Sequence, residues 1–349
     1  MNTPTSSQQV RERMLAVEDF TQGGAHTSVI AAPSLEKPLG DGVPRYYGEA
    51  LQALARERTG IVALSADLTA PTETDLFRDT FPRRFLNAGI AEANMMGVAG
   101  GLARSGMQAW VHTFCVFATR RAYDQVAMQI AYPHADVKIV GFLPGLSTIL
   151  GVSHQAIDDV ALMRALPHMT VIEPSGPAQI PAAVRAAADH EGPVYLRLLR
   201  ASAALAPDTP WEPLELGRIQ ALDDRDGDVL IVASGLTVEP ARAAALALRE
   251  QHGIRVAVAN AHTLKPFDAD FVLAQARRRK LIVTVENHST LGGLGSATAE
   301  VLAEAGSGVR LLRLGVRDRF AQGASMQWLF ERHGLTATGI ADAVGSALG

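Results

Sequence analysis

Arg84–Leu102 reads RFLNAGIAEANMMGVAGGL. The run RFLN is short and apolar, NAG turns, and from Ala91 a helix follows that is rich in Met, Val, Ala and Gly. A strand that ends in a glycine turn and feeds a helix is the repeating unit of a parallel sheet. Glu92 is the odd residue of this helix. The helix dipole favours an acid in the first turn, so a capping role accounts for it. Gly97, Gly100 and Gly101 imply that something packs closely on the same helix, and a carboxylate there would be desolvated, its pKa raised, and able to share a proton. Both readings of Glu92 stand on these residues.

The same unit recurs on either side. Upstream, Tyr47–Arg58 reads as helix and Gly60–Ser65 as strand. Downstream come strand Ala109–His112, helix Ala118–Ile130, strand Lys138–Gly141, helix Ile157–Leu166, strand Thr170–Ile172, helix Pro177–Asp189 and strand Val194–Leu198. Short continuous apolar strands between amphipathic helices indicate a parallel sheet covered on both faces. Residues 202–227 then carry prolines, Trp211 and the charged turn DDRDGD, a linker signal. The alternation restarts with strand Val229–Ala233, helix Val238–His252, strand Val256–Asn260, helix Asp270–Ala276, strand Leu281–Glu286, helix Ser296–Ala305 and strand Val309–Leu314. The expected fold is α/β with two domains: an N-terminal arm over 1–43, a first domain over 44–205, a linker over 206–227 and a second domain over 228–349. The arm lacks sustained periodicity; wrapping a partner and disorder are equally good readings of it.

The chain has 349 residues, enough for two domains, and a net charge of −4 with no long basic run, which leaves no nucleic-acid footprint. Its single cysteine, Cys115, cannot form an internal disulfide and lies in an apolar segment, where a small buried hydrophobe is the ordinary role. The polar N-terminus lacks a signal-peptide core, and no apolar stretch is long enough to span a bilayer. A soluble, cytoplasmic protein is expected.

Two more segments carry candidate chemistry. In Thr113–Gln125, TFCVFATRRAYDQ, Phe114 and Phe117 share one face of a helix start. They serve either as core aromatics or as a stacking platform for a heteroaromatic ring. In Gly151–Asp159, GVSHQAIDD, His154 sits at a loop–helix junction after a strand's C-terminal end, where open α/β sheets place ligands; a structural histidine is the plainer reading. Gly292–Ser296, GGLGS, imitates a dinucleotide loop but lacks its third glycine and a suitably placed acid, so it reads as a tight turn. Gly40–Asp41–Gly42 imitates the start of a magnesium–diphosphate motif, but Asn87 lies much too far along.

Together these segments resemble the transketolase family. NAGIAEANMMGVAGGLA is similar to the block with the family's catalytic glutamate, TFCVFATRRAYDQ to its aromatic block, and SHQAIDDVALMRALPHMTVIEPS to the segment that follows. SADLT at Ser65–Thr69 and ENHSTLGGLGSATAEVL at Glu286–Leu302 fit as well, and the resemblance runs from about Arg45 to the end. It implies a thiamine-diphosphate pyrimidine-binding domain followed by a mixed-sheet C-terminal domain. It further implies that Glu92 binds N1′ of the cofactor's aminopyrimidine, that Phe117 and Phe114 stack on that ring, and that Asp67 and Arg120 lie at the cofactor. His154 would contact the sugar oxygens, and Arg45 and Arg200 would hold a substrate phosphate. The family's domain with Gly-Asp-Gly…Asn for Mg²⁺ and diphosphate has no counterpart here. The resemblance is therefore to the C-terminal half of a split transketolase. A separate subunit would supply the Mg²⁺ ligands, within an α2β2 assembly.

The segment between Lys138 and His154, which reads GFLPGLSTILGVSH from Gly141, departs from the family pattern. By spacing, Phe142 stands in the place of a histidine and Leu150 in that of an aspartate, both on the substrate side, and Arg120 stands where some members have tyrosine. Ketol transfer between sugar phosphates is the expected reaction. Carboligation or decarboxylation of a 2-oxo acid, as in deoxyxylulose-phosphate synthases and oxo-acid dehydrogenase β subunits, is the alternative.

Overall fold

The computed structural model describes residues 45–199, 214–223 and 226–349. The N-terminal arm, Arg200 and much of the expected linker lie outside the described residues, as does Gly40–Gly42.

The first sheet has seven strands in the order β10-β5-β6-β4-β3-β1-β2. Six are parallel and belong to the first domain: β1 Ile61–Ser65, β2 Phe85–Asn87, β3 Gln108–Phe114, β4 Val137–Phe142, β5 Thr170–Ile172 and β6 Val194–Leu198. The chain leaves β1 for β2 on one side and returns to β3 on the other. Loops at the C-terminal ends of β1 and β3 therefore diverge and open a crevice, the usual ligand position in such sheets. Helix α1 Tyr46–Glu57 precedes β1, and α2 Asp75–Thr80 lies between β1 and β2. Helix α3 Glu92–Arg104 follows β2 after a positive-φ glycine, Gly89. Gly100 lets α3 lie against residues 126–131, because a Cβ there would collide with the Gln129 carbonyl. Gly97 and Gly101 have nothing within 4 Å of such a Cβ, so close packing on α3 is confined to one of the three glycines.

The second sheet has the order β12-β11-β8-β9-β7, with β8 Val229–Ala233, β9 Val256–Asn260, β11 Leu281–Ser289 and β12 Arg310–Val316 parallel. Period-2 alternation divides its inner strands between two cores. On β8, Leu230 and Val232 join the core of the first domain, while Val229, Ile231 and Ala233 join a second core with helices Val238–His252 and Ala337–Leu348. On β9, Ala257 and Ala259 face the first core and Val256 and Val258 the second.

Two strands depart from the expected plan. Gln220–Asp223, inside the stretch read as linker, forms β7 and pairs antiparallel with β9. Thr263–Lys265 forms β10, which leaves the second domain and pairs antiparallel with β5 at the edge of the first sheet. The first sheet is thus mixed rather than all parallel. Among the described residues no helix is long and apolar enough to cross a membrane.

Candidate active site

Asp67, Glu92, Phe114, Phe117 and His154 lie at or after the C-terminal ends of β1 to β4. Asp67 follows β1 in the left-handed region at φ 60°. Its N–H donates to Asn87 Oδ1 at 3.1 Å, and Asn87 Nδ2 donates back to Asp67 Oδ1 at 3.1 Å. Asn87 ends β2 in register with Ser65, so this clasp ties the two strand ends together immediately before the turn into α3.

Glu92 is the first residue of α3 and only 2% exposed. Arg121 Nη1 donates to both carboxylate oxygens, at 2.9 and 3.0 Å. The burial expected for Glu92 is present, and with it a counter-charge that sequence reasoning did not name. The Arg121 guanidinium also lies over the Phe117 ring, 4.1 Å from its centroid, a cation–π arrangement.

Phe114 closes β3 and is buried; Phe117 is half-buried, with the two ring centroids 6.0 Å apart. Residues Phe117–Arg121 form a π-helical turn, a distortion common at functional sites. His154 stands edge-on to Phe117 at 5.2 Å and 6.2 Å from Phe114. Its Nδ1 is 2.9 Å from Ser153 Oγ. Partial burial, aided by the positive charge of Arg121, lowers the His154 pKa below the usual imidazole value. The shift favours the neutral imidazole, in which one ring nitrogen donates and the other accepts. Glu92, Arg121, Phe117, Phe114 and His154 form one contiguous cluster.

Arg120 takes no part in it. Successive residues of a helix point in different directions, and Arg120 turns to the loop over residues 151–158. Its Nε donates to Asp158 Oδ1 and Oδ2 at 3.0 and 2.8 Å, its Nη2 to Gln155 O at 3.1 Å. Arg120, expected at the cofactor, is thus engaged with the loop over residues 151–158, while its neighbour Arg121 meets Glu92. Phe142 also departs from expectation. It is fully buried and packs edge-on against Tyr47 at 5.4 Å, in register with Phe114 on the adjacent strand. As the last residue of β4 it is part of the core cluster of the first domain. Leu150 is half-buried in the loop before His154. Arg45, ahead of α1, is ion-paired to Asp75. Cys115 is buried, and burial pushes its thiol well above the usual pKa.

The GGLGS segment is a turn into a helix, Leu294–Glu304, whose N-terminus is met by an internal carboxyl group: Glu286 accepts from Leu294 N at 2.8 Å and Gly295 N at 2.9 Å. Sequence reasoning also missed a buried network under the site. Arg197 donates to Asp159 Oδ2 at 2.7 Å, is ion-paired to Glu173, and bonds the Asn287 carbonyl of the second domain at 3.0 Å. Asp159 also accepts from Tyr195 Oη at 2.7 Å. A charged Arg197 inside an apolar strand is the signal that could have found it, since such a residue is rarely buried unless paired. Among the described residues no group of three or more His, Cys, Asp or Glu side chains is arranged to hold a metal ion.

Residues 43–204 match the family model "Transketolase, pyrimidine binding domain", and residues 217–340 match "Transketolase, C-terminal domain". The chain is 43% identical over 302 residues to a putative uncharacterized transketolase family protein of Sinorhizobium fredii, covering 85% of this chain and 86% of that one. It is 44% identical over 292 residues to the 6-deoxy-6-sulfo-D-fructose transketolase subunit SqwH of a Clostridium species, covering 83% and 89%. A solved structure described as "Split gene transketolase, inactive beta4 tetramer" superposes with a TM-score of 0.79 at 43% identity, covering 87% of this chain and 97% of that one.

Proposed function

The chain belongs to the transketolase family, and from that premise we propose that it is the pyrimidine-binding subunit of a two-subunit, thiamine-diphosphate-dependent enzyme that transfers a ketol unit between sugars or sugar phosphates. One observation carries the reading: a carboxylate only 2% exposed, at a helix start, lies next to an aromatic pair and an imidazole at the C-terminal ends of parallel strands. This donor set fits an aminopyrimidine, with a hydrogen-bonding acid for a ring nitrogen and a flat apolar face for the ring. When bound, thiamine diphosphate supplies an electron sink for cleaving a carbon–carbon bond beside a carbonyl.

Glu92 holds the proton at N1′ of that ring. A carboxylate offers about four lone-pair sites, so the single Arg121 nitrogen leaves capacity for a second partner. Phe117 stacks with the ring and Phe114 backs it. Asp67, clasped by Asn87, lies at the mouth of the crevice. His154 donates to or accepts from a substrate oxygen, with Leu150 on the same loop; Arg45 and Arg200 serve an anionic group of the substrate.

The diphosphate and Mg²⁺ fall to a partner. No Gly-Asp-Gly…Asn motif at workable spacing stands in these residues, and the similar proteins include one described as a subunit and one as a split-gene product. An α2β2 assembly follows from that reading. The similarity to a sulfofructose transketolase subunit favours a ketose donor over a 2-oxo acid.

The test is Glu92→Gln in the enzyme reconstituted with its partner. The variant keeps shape but lacks an acidic proton, and turnover is expected to fall at least about a hundredfold, in the range for removing a general acid–base group. Near-normal turnover would leave Glu92 as a helix cap. Turnover of a 2-oxo acid without any ketose-dependent transfer would replace the reaction class.

A further inference from the structure

Asn287 lies on β11 of the second domain, yet its side chain serves the backbone of the first. It is fully buried. Its Oδ1 accepts from Leu146 N at 2.9 Å, and its Nδ2 donates to Pro144 O at 3.0 Å. Its own carbonyl accepts from Arg197 Nη2 at 3.0 Å, and the same Nη2 donates to Ala156 O at 3.1 Å.

Those contacts close the neck of a loop. Residues 144–156 leave and return side by side, with a bridge between Pro144 and Ala156 and a bond from Gly145 N to Ala156 O at 3.0 Å. Gly145 has φ 54°, and a Cβ there would collide with the Asn287 carbonyl, so the loop fits against Asn287 only with glycine at that place. The loop carries Leu150 and His154. The second domain also holds the chain on either side of Ala156, through Gln155 Nε2 donating to Gln322 O at 3.1 Å and Ser289 N donating to Ile157 O at 2.7 Å.

A side-chain amide here replaces a β-ladder partner for a neck with too few partners of its own. Removing it leaves the buried Leu146 N–H unpaired and takes one of two donors from the Pro144 carbonyl, which keeps Ser147 N at 3.1 Å, a cost the loop relieves by moving. His154 lies on this loop, two residues before Ala156 at the neck, so a shift at the neck is passed to it.

We propose that Asn287 is a positioning residue: through the neck over residues 144–156 it sets the place of His154 against Phe117, so that the second domain takes part in the chemistry of the first. The proposal rests on His154 acting at the substrate, as read above.

The experiment is a double-mutant cycle in the reconstituted enzyme, with kcat, KM and thermal unfolding measured for Asn287→Ser, His154→Ala and the double variant. Asn287→Ser is expected to lower kcat by about ten- to a hundredfold, the scale of a small misplacement of a reacting group, with KM for the cofactor changed less than about twofold. In the His154→Ala background the same substitution should cost less than about threefold, because its effect passes through a side chain already absent. Gly145→Ala, which presses on the same contact from the loop, should repeat the pattern. Equal losses in both backgrounds, or none, would overturn the proposal. So would loss of cooperative unfolding in both Asn287→Ser and Gly145→Ala, which would make the contact a folding determinant only. A fully active His154→Ala enzyme would instead overturn the site reading, and the positioning role with it.

Discussion

Arg121 Nη1 sits 2.9 Å from Glu92 Oε1 and 3.0 Å from Oε2, and the same guanidinium lies 4.1 Å from the centre of the Phe117 ring. One cation thus contacts both the candidate acid and one face of the Phe117 ring. Its charge also disfavours protonation of His154.

Replacing Arg121 by Met removes the charge and keeps a long apolar side chain. The His154 pKa should then rise, because a repelling cation has gone while partial burial remains. Proton NMR titration of the isolated chain follows the His154 ring directly. A pKa that stays put or falls would show that Arg121 does not face the imidazole in solution. In the reconstituted enzyme the same variant should lose less turnover than Glu92→Gln, since Arg121 acts by orienting the carboxylate.

Leu150, half-buried on the loop that carries His154, stands where an aspartate was expected from the family pattern. A site built to bond a hydroxyl discriminates strongly against an analogue lacking it, because buried polar groups go unpaired; an apolar wall cannot do so. Acceptor aldehydes with and without the 2-hydroxyl, compared by kcat/KM in the reconstituted enzyme, should differ by less than about tenfold, or ~1.4 kcal/mol. A penalty of roughly a thousandfold would assign that hydroxyl to another polar group.

Much of this site was legible because it is built from local patterns. Glu92 stood out as a charge at the start of an apolar helix, and Phe114 and Phe117 by their spacing. Strands β5, β6, β8 and β9 fall where continuous apolar runs placed them. What escaped is non-local. Thr263–Lys265 is three residues long and becomes a strand only through β5, in the other domain. Arg120 and Arg121 are indistinguishable in sequence, and a π-helical turn decides which of them meets Glu92. Phe142 was placed on the substrate side by spacing within the family pattern, and it is buried at the end of β4. Asn287 gave no signal, since nothing in ENHST says that an amide will bond a loop 141 residues away.

Glu286 makes stability depend on pH in a defined direction. Burial pushes its pKa from 4.5 up to about 7, against the opposing pull of the Gly295 and Leu294 N–H groups. A carboxyl with a raised folded-state pKa contributes stability that is complete below the unfolded value and is lost as pH rises through the folded one. Between 4.5 and about 7 the chain should therefore lose stability relative to Glu286→Gln, with a slope of up to about 1.4 kcal/mol per pH unit. Urea unfolding of both proteins at about pH 5 and pH 8 reads the difference. A gap between them that does not change with pH would mean that Glu286 is ionised in the folded protein throughout.

The central claim is that this chain supplies only the pyrimidine side of a shared site, and calorimetric titration of thiamine diphosphate with Mg²⁺, run beside a ketol-transfer assay, tests it most directly. The purified chain alone should bind weakly and show no turnover. Adding a purified subunit that carries the Gly-Asp-Gly…Asn motif should restore both tight binding and transfer. Tight binding and full ketol transfer by this chain alone, at high purity, would contradict the account.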